Sequence, residues 1–322
     1  MVLLSIGVPT YNRAKLLEET INSIVAAMRS ASVKDVEVEL IISDNASTDD
    51  TPHMMAKLKQ QYPFIKCLRN EINVVDENFF LLARAATGRY VWIFADDDLM
   101  ELNAVDIVLG EIRKGYSTLI LNYSMWDSSF HNLIKPVRYE YSQDLFIQDK
   151  NKVLDQFGTG LQFISSIVIE KNILSKEKEY DYRRLHQYGN SFLYAVYSGI
   201  SVTCNVKYIA TTLLKYRGGN SEVGEVNKWY KYFIYGNNLF LSILRNLEGY
   251  SSRSIKNARR KIIKEYLLQD IALRKRNGFN SYKLFRKIPY QYYSHIEFWG
   301  VVIPVILMPN RIFTICYNSL KK

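Results

Sequence analysis

The sequence predicts an α/β protein whose central sheet is mostly parallel and has helices on both faces, followed by a helical C-terminal region. Three observations predict it. Strand-like and helix-like segments alternate up to about residue 95, short polar motifs follow successive strands, and only helical patterns continue beyond about residue 226. With 322 residues, 48% of them hydrophobic, the chain can build one large core and a smaller second region.

The first half alternates apolar, strand-like runs with segments of helical periodicity. The strands are expected at residues 2–8, 36–43, 65–68 and 90–95. The intervening helices are expected at residues 13–28, from about Thr51 to about Gln61, and at residues 78–86. Because this rhythm places strands in parallel, ligand sites should lie beyond the carboxyl ends of the strands.

The second half is mixed at first and then helical. Strands are expected at residues 119–122, 166–170 and 202–209, and a helix at residues 190–197. Gly218, Gly219 and Gly224 then mark a break in the pattern. The sequence therefore predicts a domain over residues 1–225 and a basic helical region over residues 226–322.

The positive charge is concentrated in one segment. The formal charge of the chain is +10, and residues 251–290 alone contain twelve Lys or Arg and two acidic residues. A local excess of this kind indicates a local anionic partner. Cys67, Cys204 and Cys316 form no readable disulfide framework, and the N-terminus shows no signal-peptide pattern, so a cytoplasmic location is expected.

Three consecutive carboxylates, Asp96, Asp97 and Asp98, follow the apolar run of residues 90–95. Carboxylates at the end of a buried strand are costly unless they are compensated, and a divalent cation such as Mn²⁺ or Mg²⁺ compensates them directly. Such an ion would also neutralise charge on a departing nucleotide diphosphate. The alternative is an acidic turn that caps the next helix, which is expected to start near Glu101.

Short motifs lie at the ends of successive predicted strands. They are Pro9-Thr10-Tyr11-Asn12-Arg13, Asp44-Asn45-Ala46-Ser47-Thr48-Asp49, and Gly88-Arg89-Tyr90 leading into Asp96-Asp97-Asp98. In this order they resemble family 2 glycosyltransferases of the GT-A fold, over residues 3–110 and more loosely over residues 160–220. The resemblance implies metal-dependent, inverting transfer of a sugar from a nucleotide diphosphate sugar to a glycan acceptor in bacterial surface polysaccharide synthesis.

The resemblance also implies roles for the residues that match the motifs. The nucleotide pocket would be lined by Pro9, Tyr11, Arg13, Asp44, Asn45 and Asn73. Among these, Asp44 would accept a hydrogen bond from the base, and Asn45 would lie beside it. Asn12 and Asn45 also suit ordinary turns, because Asn tolerates the left-handed backbone conformation.

The acidic cluster and a late loop would complete the donor site. By resemblance, Asp96 would face the ribose or the water shell of the metal, Asp97 would line the same site, and Asp98 would ligate the metal together with Asp96. Arg217 begins a Gly-rich segment that resembles a loop closing over the donor pyrophosphate, and its guanidinium suits a bidentate phosphate contact. The alternative is an ordinary connection with an exposed Arg.

The acceptor side departs from the family pattern. The family usually supplies a Glu-Asp pair shortly before a Gly that precedes a late strand, and here Gln187 and Tyr188 stand at the matching positions before Gly199. The base that takes the acceptor proton is therefore predicted to be His186, with Asp181 as the next candidate. A structural or surface histidine is the alternative. The departure resembles bacterial abequosyltransferase-like enzymes of O-antigen assembly.

The C-terminal region combines a basic helix with an apolar run. Residues 251–270 have the spacing of an amphipathic helix, and residues 298–309 are twelve uncharged residues. A membrane-spanning helix needs about 20 residues, so this run should not cross a bilayer. The two features predict peripheral binding to the anionic inner face of the cell membrane, with a lipid-linked glycan as acceptor. A helical subdomain with a solvated basic face is the alternative.

Three other functions are weighed against this prediction. Nucleic acid is not expected as a partner, because no nucleic-acid-binding module is readable. A nucleotidyltransferase would carry a Gly-rich basic loop after the first strand, and residues 8–12 contain none. A noncatalytic membrane-associated assembly subunit would account for the missing carboxylate pair, and it stays open.

Overall fold

The computed structural model describes residues 1–31, 37–74, 77–174, 184–219, 230–247, 249–276, 285 and 288–319. The chain forms two compact units. The first is made of Met1–Lys150, Gly160–Tyr182 and Ser191–Asn220. The second is made of Asn151–Thr159, Arg183–Asn190 and Ser221–Lys322. The predicted break between residues 225 and 226 lies outside the described residues.

The first unit contains the sheet and the helices that cover it. Its strands are β1 (Leu4–Thr10), β2 (Val38–Asp44), β3 (Lys66–Arg69), β4 (Tyr90–Ile93), β5 (Leu99–Met100), β6 (Thr118–Trp126), β7 (Leu133–Lys135), β8 (Leu145–Ile147), β9 (Ile167–Glu170) and β10 (Val206–Arg217). Its helices are α1 (Ala14–Ser30), α2 (Thr51–Gln61), α3 (Glu77–Ala85), α4 (Ala104–Ile112), α6 (Lys171–Leu174) and α7 (Ser191–Val202). A further helix, α5 (Lys150–Phe157), leads from the first unit into the second.

The sheet has the strand order β3-β2-β1-β4-β9-β6-β10-β5, with β7 paired to β6 and β8 paired to β10. β1 is parallel to β2 and β4, and β2 is parallel to β3, so this half is the predicted parallel sheet. The α/β class is confirmed, but the other half is mixed. β9 is antiparallel to both neighbours because it starts at the edge where β4 ends, beside Asp98.

The predicted elements of the first half are confirmed in type and order, with ends that differ by one or two residues. Later predictions are less accurate. The strand expected at residues 202–209 begins only at Val206, because α7 continues to Val202. α7 is apolar and buried around most of its circumference, so it lacks the periodicity that marks a helix end. α4 begins at Ala104 rather than near Glu101.

The second unit is helical throughout its described residues after Tyr230, as the sequence predicts. After the π-helical turn Tyr230–Gly236 come α8 (Asn237–Leu244), α9 (Ser252–Ile262), the π-helical turn Ile263–Leu267 and α10 (Leu268–Arg276). The C-terminal part contains the 3₁₀ turn Tyr290–Ser294, the π-helical turn Phe298–Val302, α11 (Ile303–Leu307) and α12 (Asn310–Ser319). Within α9, Ile255, Ala258 and Ile262 are buried, which confirms the predicted amphipathic pattern.

Among the described residues, no single helix is long and apolar enough to cross a membrane. One pair of helical segments, Phe298–Leu307 and Asn310–Cys316, meets the length and composition requirement together but is bent by 115°.

Gly88 allows a close backbone approach at the start of β4. Its N–H donates to Ser5 Oγ (2.8 Å), and a Cβ at this position would lie 2.8 Å from the Ser5 nitrogen and 2.9 Å from the Leu4 carbonyl carbon. These are backbone atoms of a central strand, so they cannot move aside cheaply.

We therefore expect Gly88→Ala to lower the free energy of unfolding by about 1–3 kcal/mol, measured by urea denaturation. Gly110→Ala is the matched control, because Gly110 lies inside α4 with no atom within 4 Å of its added Cβ. The control should be neutral or stabilising by about 0.5–1 kcal/mol. Equal stability of the two variants would contradict the close-approach argument.

Candidate functional site

Polar segments follow β1, β2 and β4 at one edge of the sheet. The register pairs Thr10 with Asp44, and the Asn45 N–H donates to the Thr10 carbonyl (2.9 Å). Because β4 is parallel to β1, its end brings Asp96, Asp97 and Asp98 to the same edge. The structure thus assembles the three predicted motifs where a doubly wound sheet binds ligands.

Asp96 lies at the centre of this edge and is 5% exposed. Thr10 Oγ1 donates to Asp96 Oδ2 (2.7 Å), and Arg13 Nη1 donates to Asp96 Oδ1 (2.8 Å). The same guanidinium nitrogen also bonds Asp97 Oδ2 (3.0 Å). Arg13, which the sequence predicts to line the nucleotide pocket, is therefore in contact with the acidic cluster, and Pro9 and Tyr11 are half-buried at the end of β1.

Asp98 is held from three sides and is 1% exposed. Ser165 Oγ donates to Asp98 Oδ2 (2.7 Å), and the Arg217 N–H donates to Asp98 Oδ1 (3.1 Å). Thr20 Oγ1 donates to the Asp98 carbonyl (2.8 Å). Sequence reasoning missed Ser165 and Thr20, although a Thr on the buried face of α1 is a readable signal of a polar partner.

Arg217 has a different position from the one predicted. Its side chain is buried: Nε donates to the Asp97 carbonyl (2.7 Å), Nη1 donates to the Ser128 carbonyl (2.9 Å), and Nη2 is paired with Glu19. The guanidinium carbon also lies 4.1 Å from the centre of the Phe130 ring. The alternative of an exposed Arg is wrong, because this residue fastens β10 to the acidic turn. The predicted contact of Arg217 with the donor pyrophosphate stays a prediction. To make it, the guanidinium would have to give up its bond to Asp97, Ser128 or Glu19.

The three carboxyl groups carry more negative charge than their surroundings compensate. Burial raises the pKa of Asp96 to about 6 against the opposing effect of Arg13. Burial also raises the pKa of Asp97, against Arg13 and Arg217. For Asp98, burial and then the charge of Asp97 raise the pKa well above its usual range. Excess buried negative charge of this kind is what a bound cation relieves.

The donor set of this cluster fits a hard divalent cation. Its groups are carboxylate oxygens, which Mg²⁺ and Mn²⁺ prefer. No group of three or more His, Cys, Asp or Glu side chains converges as a complete ligand set within the described part of the chain. Mg²⁺ sites in nucleotide-binding proteins commonly use one or two carboxylates together with phosphate oxygens and water. Asp98 and Asp96 can supply such a partial set.

Asp44 is fully buried at the end of β2. Its Oδ1 accepts a hydrogen bond from the Ser47 N–H (2.9 Å), and its Oδ2 is paired with Arg69, whose side chain is half exposed. Sequence reasoning missed Arg69. A nucleobase that bonds to Asp44 must therefore share this carboxylate with Arg69 or displace the guanidinium, and the predicted role of Asp44 stays a prediction.

Asn45 and Asn73 lie together, as the predicted pocket requires. Asn45 Nδ2 donates to Asn73 Oδ1 (2.8 Å), while Asn45 Oδ1 accepts from Asn70 Nδ2 (3.0 Å) and from the Val74 N–H (3.0 Å). Asn73 is exposed, so its amide is accessible to a ligand. Asn12 has φ +53° and accepts from the Thr48 N–H (2.8 Å), which supports its interpretation as a turn residue.

The structure does not test the two predicted catalytic bases. His186 belongs to the second unit, is half-buried, and accepts a hydrogen bond on its carbonyl from the Gly189 N–H (3.2 Å). Asp181 lies outside the described residues. The role of either residue as base stays a prediction.

A sequence comparison gives a family match across the first half of the chain. The model of "Glycosyl transferase family 2" matches residues 5–170. The abequosyltransferase RfbV of Salmonella typhimurium is 38% identical over 109 residues, 33% of this chain and 32% of that protein. A Campylobacter jejuni protein named GalNAc(5)-diNAcBac-PP-undecaprenol beta-1,3-glucosyltransferase is 30% identical over 132 residues, 38% of each chain. The chain thus spans about a third of the length of these relatives.

A longer match and a structural likeness extend this comparison. The dTDP-rhamnosyl transferase RfbG of Shigella flexneri is 24% identical over 247 residues, 69% of this chain and 80% of that protein. The crystal structure of S. aureus TarS 1-349 in complex with UDP-GlcNAc has a TM-score of 0.62 and 13% identity, covering 84% of this chain and 76% of that one. At this identity the likeness shows the fold, and it confirms the predicted GT-A fold.

The raised pKa of Asp96 predicts a pH-dependent stability. At pH values between 3.8, the ordinary pKa of the Asp96 carboxyl, and about 6, its pKa in the folded state, the folded protein keeps a proton that the unfolded chain has released. The stabilisation is therefore present near pH 4 and is lost as the pH rises through about 6. Between pH 4.5 and 7.5, the free energy of unfolding of the wild type should fall by about 2 kcal/mol relative to Asp96→Asn, measured by urea denaturation.

Asp127→Asn is the control for this experiment. The side chain of Asn132 and other local donors lower the pKa of Asp127 to about 2, so its own transition lies below pH 4.5. This variant should keep the wild-type slope between the two pH values. If Asp96→Asn keeps that slope as well, the electrostatic account of the acidic turn is wrong.

Proposed function

We propose a function for this chain, which belongs to glycosyl transferase family 2. It transfers a sugar from a nucleotide diphosphate sugar to a glycan acceptor in bacterial surface polysaccharide synthesis. The observation that carries this proposal is the buried acidic turn Asp96–Asp98, which faces Arg13 at the carboxyl edge of the sheet. The printed names of the relatives, which are sugar transferases, support the reaction class.

The donor would occupy the edge formed by β1, β2 and β4. Its nucleotide would lie against Pro9 and Tyr11 and the pair of Asn45 and Asn73. The complex of TarS with UDP-GlcNAc supports a nucleotide sugar as ligand. The Arg69–Asp44 pair lies where the nucleobase would bind, so it would influence which nucleotide sugar the site accepts.

Asp98 would hold Mn²⁺ or Mg²⁺, with Asp96 facing the ribose or the water shell of the metal. When bound, this ion would neutralise the charge that builds on the departing diphosphate. The chain's own residues keep the carboxylates in position, since Thr10 and Arg13 fix Asp96 and Ser165 fixes Asp98. Preorganised charge of this kind requires no rearrangement at the moment of reaction.

In the proposed inverting displacement, an acceptor hydroxyl attacks the anomeric carbon as the bond from that carbon to the diphosphate oxygen breaks. The nucleotide diphosphate leaves with the bonding electrons, and a base takes the hydroxyl proton. We retain His186 as the first candidate for the base, since an imidazole nitrogen can take a proton from a hydroxyl, and Asp181 as the second.

The acceptor would be a glycan, carried on a lipid in our proposal, and the enzyme would bind peripherally at the cytoplasmic face of the cell membrane. The support is electrostatic: Arg253, Lys256, Arg260 and Lys264 are exposed along α9 and the turn after it, and buried Ile255 and Ile262 hold the opposite face. Basic residues near an anionic lipid surface contribute about 1 kcal/mol each.

Donor binding and catalysis test the proposed reaction. We expect a panel of UDP-, GDP-, CDP- and dTDP-sugars to contain one that raises Tm by several degrees at about 100 times its Kd, and only with Mn²⁺ or Mg²⁺ present. Asp98→Asn should lower metal-dependent sugar transfer by about 100-fold or more. Asp106→Asn, an exposed carboxylate of α4, is the control and should transfer sugar at the wild-type rate.

Two outcomes would contradict this proposal. Unchanged transfer by Asp98→Asn would remove the metal role of that residue. A folded wild-type protein that binds a donor but neither hydrolyses nor transfers it would favour the noncatalytic assembly subunit.

The basic face is tested by charge reversal. Lys256→Glu combined with Lys264→Glu should weaken binding to vesicles containing anionic phosphatidylglycerol by about tenfold or more, because four units of charge change at the contact surface. Arg84→Glu combined with Lys114→Glu makes the same charge change at exposed residues of the first unit. Flotation of the full chain measures the binding, and equal losses in both double variants would show that net charge alone is responsible.

A further inference from the structure

The C-terminal hairpin, residues 296–316, exposes an unusual amount of apolar surface. Its large exposed side chains are Ile296, Trp299, Val301, Leu307, Ile312 and Ile315. Each is between 44% and 77% exposed. Soluble proteins scatter single exposed apolar residues over the surface but rarely gather them in one short segment unless that segment has a partner.

The hairpin is an ordered element whose outward face is fixed by its inward packing. Phe298, Val302 and Ile306 recur every four residues and are buried, as is Phe313 on the second arm. The side chains between them must therefore point away from the unit's interior. The exposed apolar face is thus a consequence of the fold.

A buried lysine holds the corner of the hairpin. Lys275 on α10 is 3% exposed, and its ammonium donates to the Met308 carbonyl (2.5 Å) and to Asn310 Oδ1 (3.3 Å). Met308 and Asn310 flank the 115° bend between the two arms. An ammonium that satisfies the free carbonyl at a helix end fixes the chain there, so the two arms meet at a defined angle.

The charge around the hairpin identifies the partner. Residues 298–310 contain no charged side chain. Arg260 on the basic face of α9 bonds Glu297 (2.7 Å), one residue before this uncharged stretch, and Arg311 follows it. An apolar surface bordered by cations is complementary to a bilayer with anionic headgroups. Pairing with a second copy would bring these cations towards like charges, and nucleic acid offers nothing to the apolar face.

We propose that this hairpin inserts into the near leaflet of an anionic membrane, with Trp299 at the interface and the exposed face of α9 against the headgroups. The proposal deepens, and rests on, the peripheral membrane binding proposed above. The first arm of the hairpin, Phe298–Leu307, has ten residues and therefore spans about 15 Å, half of a hydrocarbon core of about 30 Å. The bend at Met308 then returns the chain to the same side.

Vesicle binding of the full chain tests the proposal. Trp299→Ser combined with Ile312→Ser should lower the partition coefficient on phosphatidylcholine–phosphatidylglycerol vesicles by about tenfold or more. The matched control is Phe146→Ser combined with Leu133→Ser in the first unit, because the exposures are 53% and 48% there against 53% and 50% in the hairpin. The control should bind as the wild type does, and equal binding by both double variants would overturn the proposal.

Depth-dependent quenching gives a second measurement that does not depend on weakened binding. Lipids brominated on the acyl chains should quench part of the wild-type tryptophan fluorescence, and Trp299→Phe should remove that part. Quenching that persists in Trp299→Phe would mean that another surface enters the membrane. Light scattering without lipid tests the alternative partner, a second copy of the chain. If the hairpin variant dissociates a dimer and still binds vesicles, the face is an interface between copies and the proposal is wrong.

Sugar transfer to a soluble acceptor, assayed without vesicles, separates this proposal from the proposed reaction. The hairpin variant should transfer sugar at the wild-type rate, because Trp299 and Ile312 belong neither to the donor site nor to the candidate bases and are exposed side chains. If the wild type transfers no sugar while the vesicle results hold, the proposed reaction fails and the membrane surface stands. If transfer proceeds and the hairpin variant binds vesicles normally, the reverse conclusion follows.

Discussion

The buried carboxylates of Asp96 and Asp98, with the partly buried Asp97 between them, must be bonded or neutralised, and the edge of the first unit is arranged around that constraint. Several elements that reach the carboxyl edge supply hydrogen-bond donors to them. These donors come from Thr10, Arg13, Ser165 and Arg217, while Thr20 bonds the backbone carbonyl of Asp98. Leaving one such carboxylate unbonded would cost several kcal/mol. The mixed half of the sheet contributes to the same cluster, since Ser165 lies in the turn before β9 and Arg217 ends β10.

The donor half of the site could be predicted from the sequence because its residues are local to strand ends. Asp44 ends the apolar strand β2 and Asp96 lies three residues after β4, so their positions are set once the strands are recognised. The groups that hold them could not be predicted in the same way. Ser165 reaches Asp98 across 67 positions of sequence, and no local pattern marks a serine for that contact. Glycines follow Arg217 and are typical of a loop, yet tertiary contacts bury its side chain.

The second unit shows the same division between pattern and packing. The spacing of cations and aliphatic residues predicted the amphipathic helix α9, and an uncharged run predicted an apolar segment near the C-terminus. The hairpin itself depends on Lys275, which composition alone would place on a solvated basic face. The hydrogen bond from the buried Lys275 ammonium to the Met308 carbonyl is a tertiary contact, and it fixes the bend between the two arms of the hairpin.

The electrostatics of the acidic turn also favour a bound cation in the proposed reaction. A donor diphosphate brings negative charge to a place where burial already raises the pKa of Asp96, Asp97 and Asp98. Two unit charges about 4 Å apart repel by about 4 kcal/mol at an effective dielectric constant of about 20. Arg13 and Arg217 are already engaged with the carboxylates and the turn that carries them, so they cannot offset a second anion as well. A divalent cation held by Asp98 and Asp96 would offset that repulsion, so donor binding would depend on metal binding in the proposed mechanism.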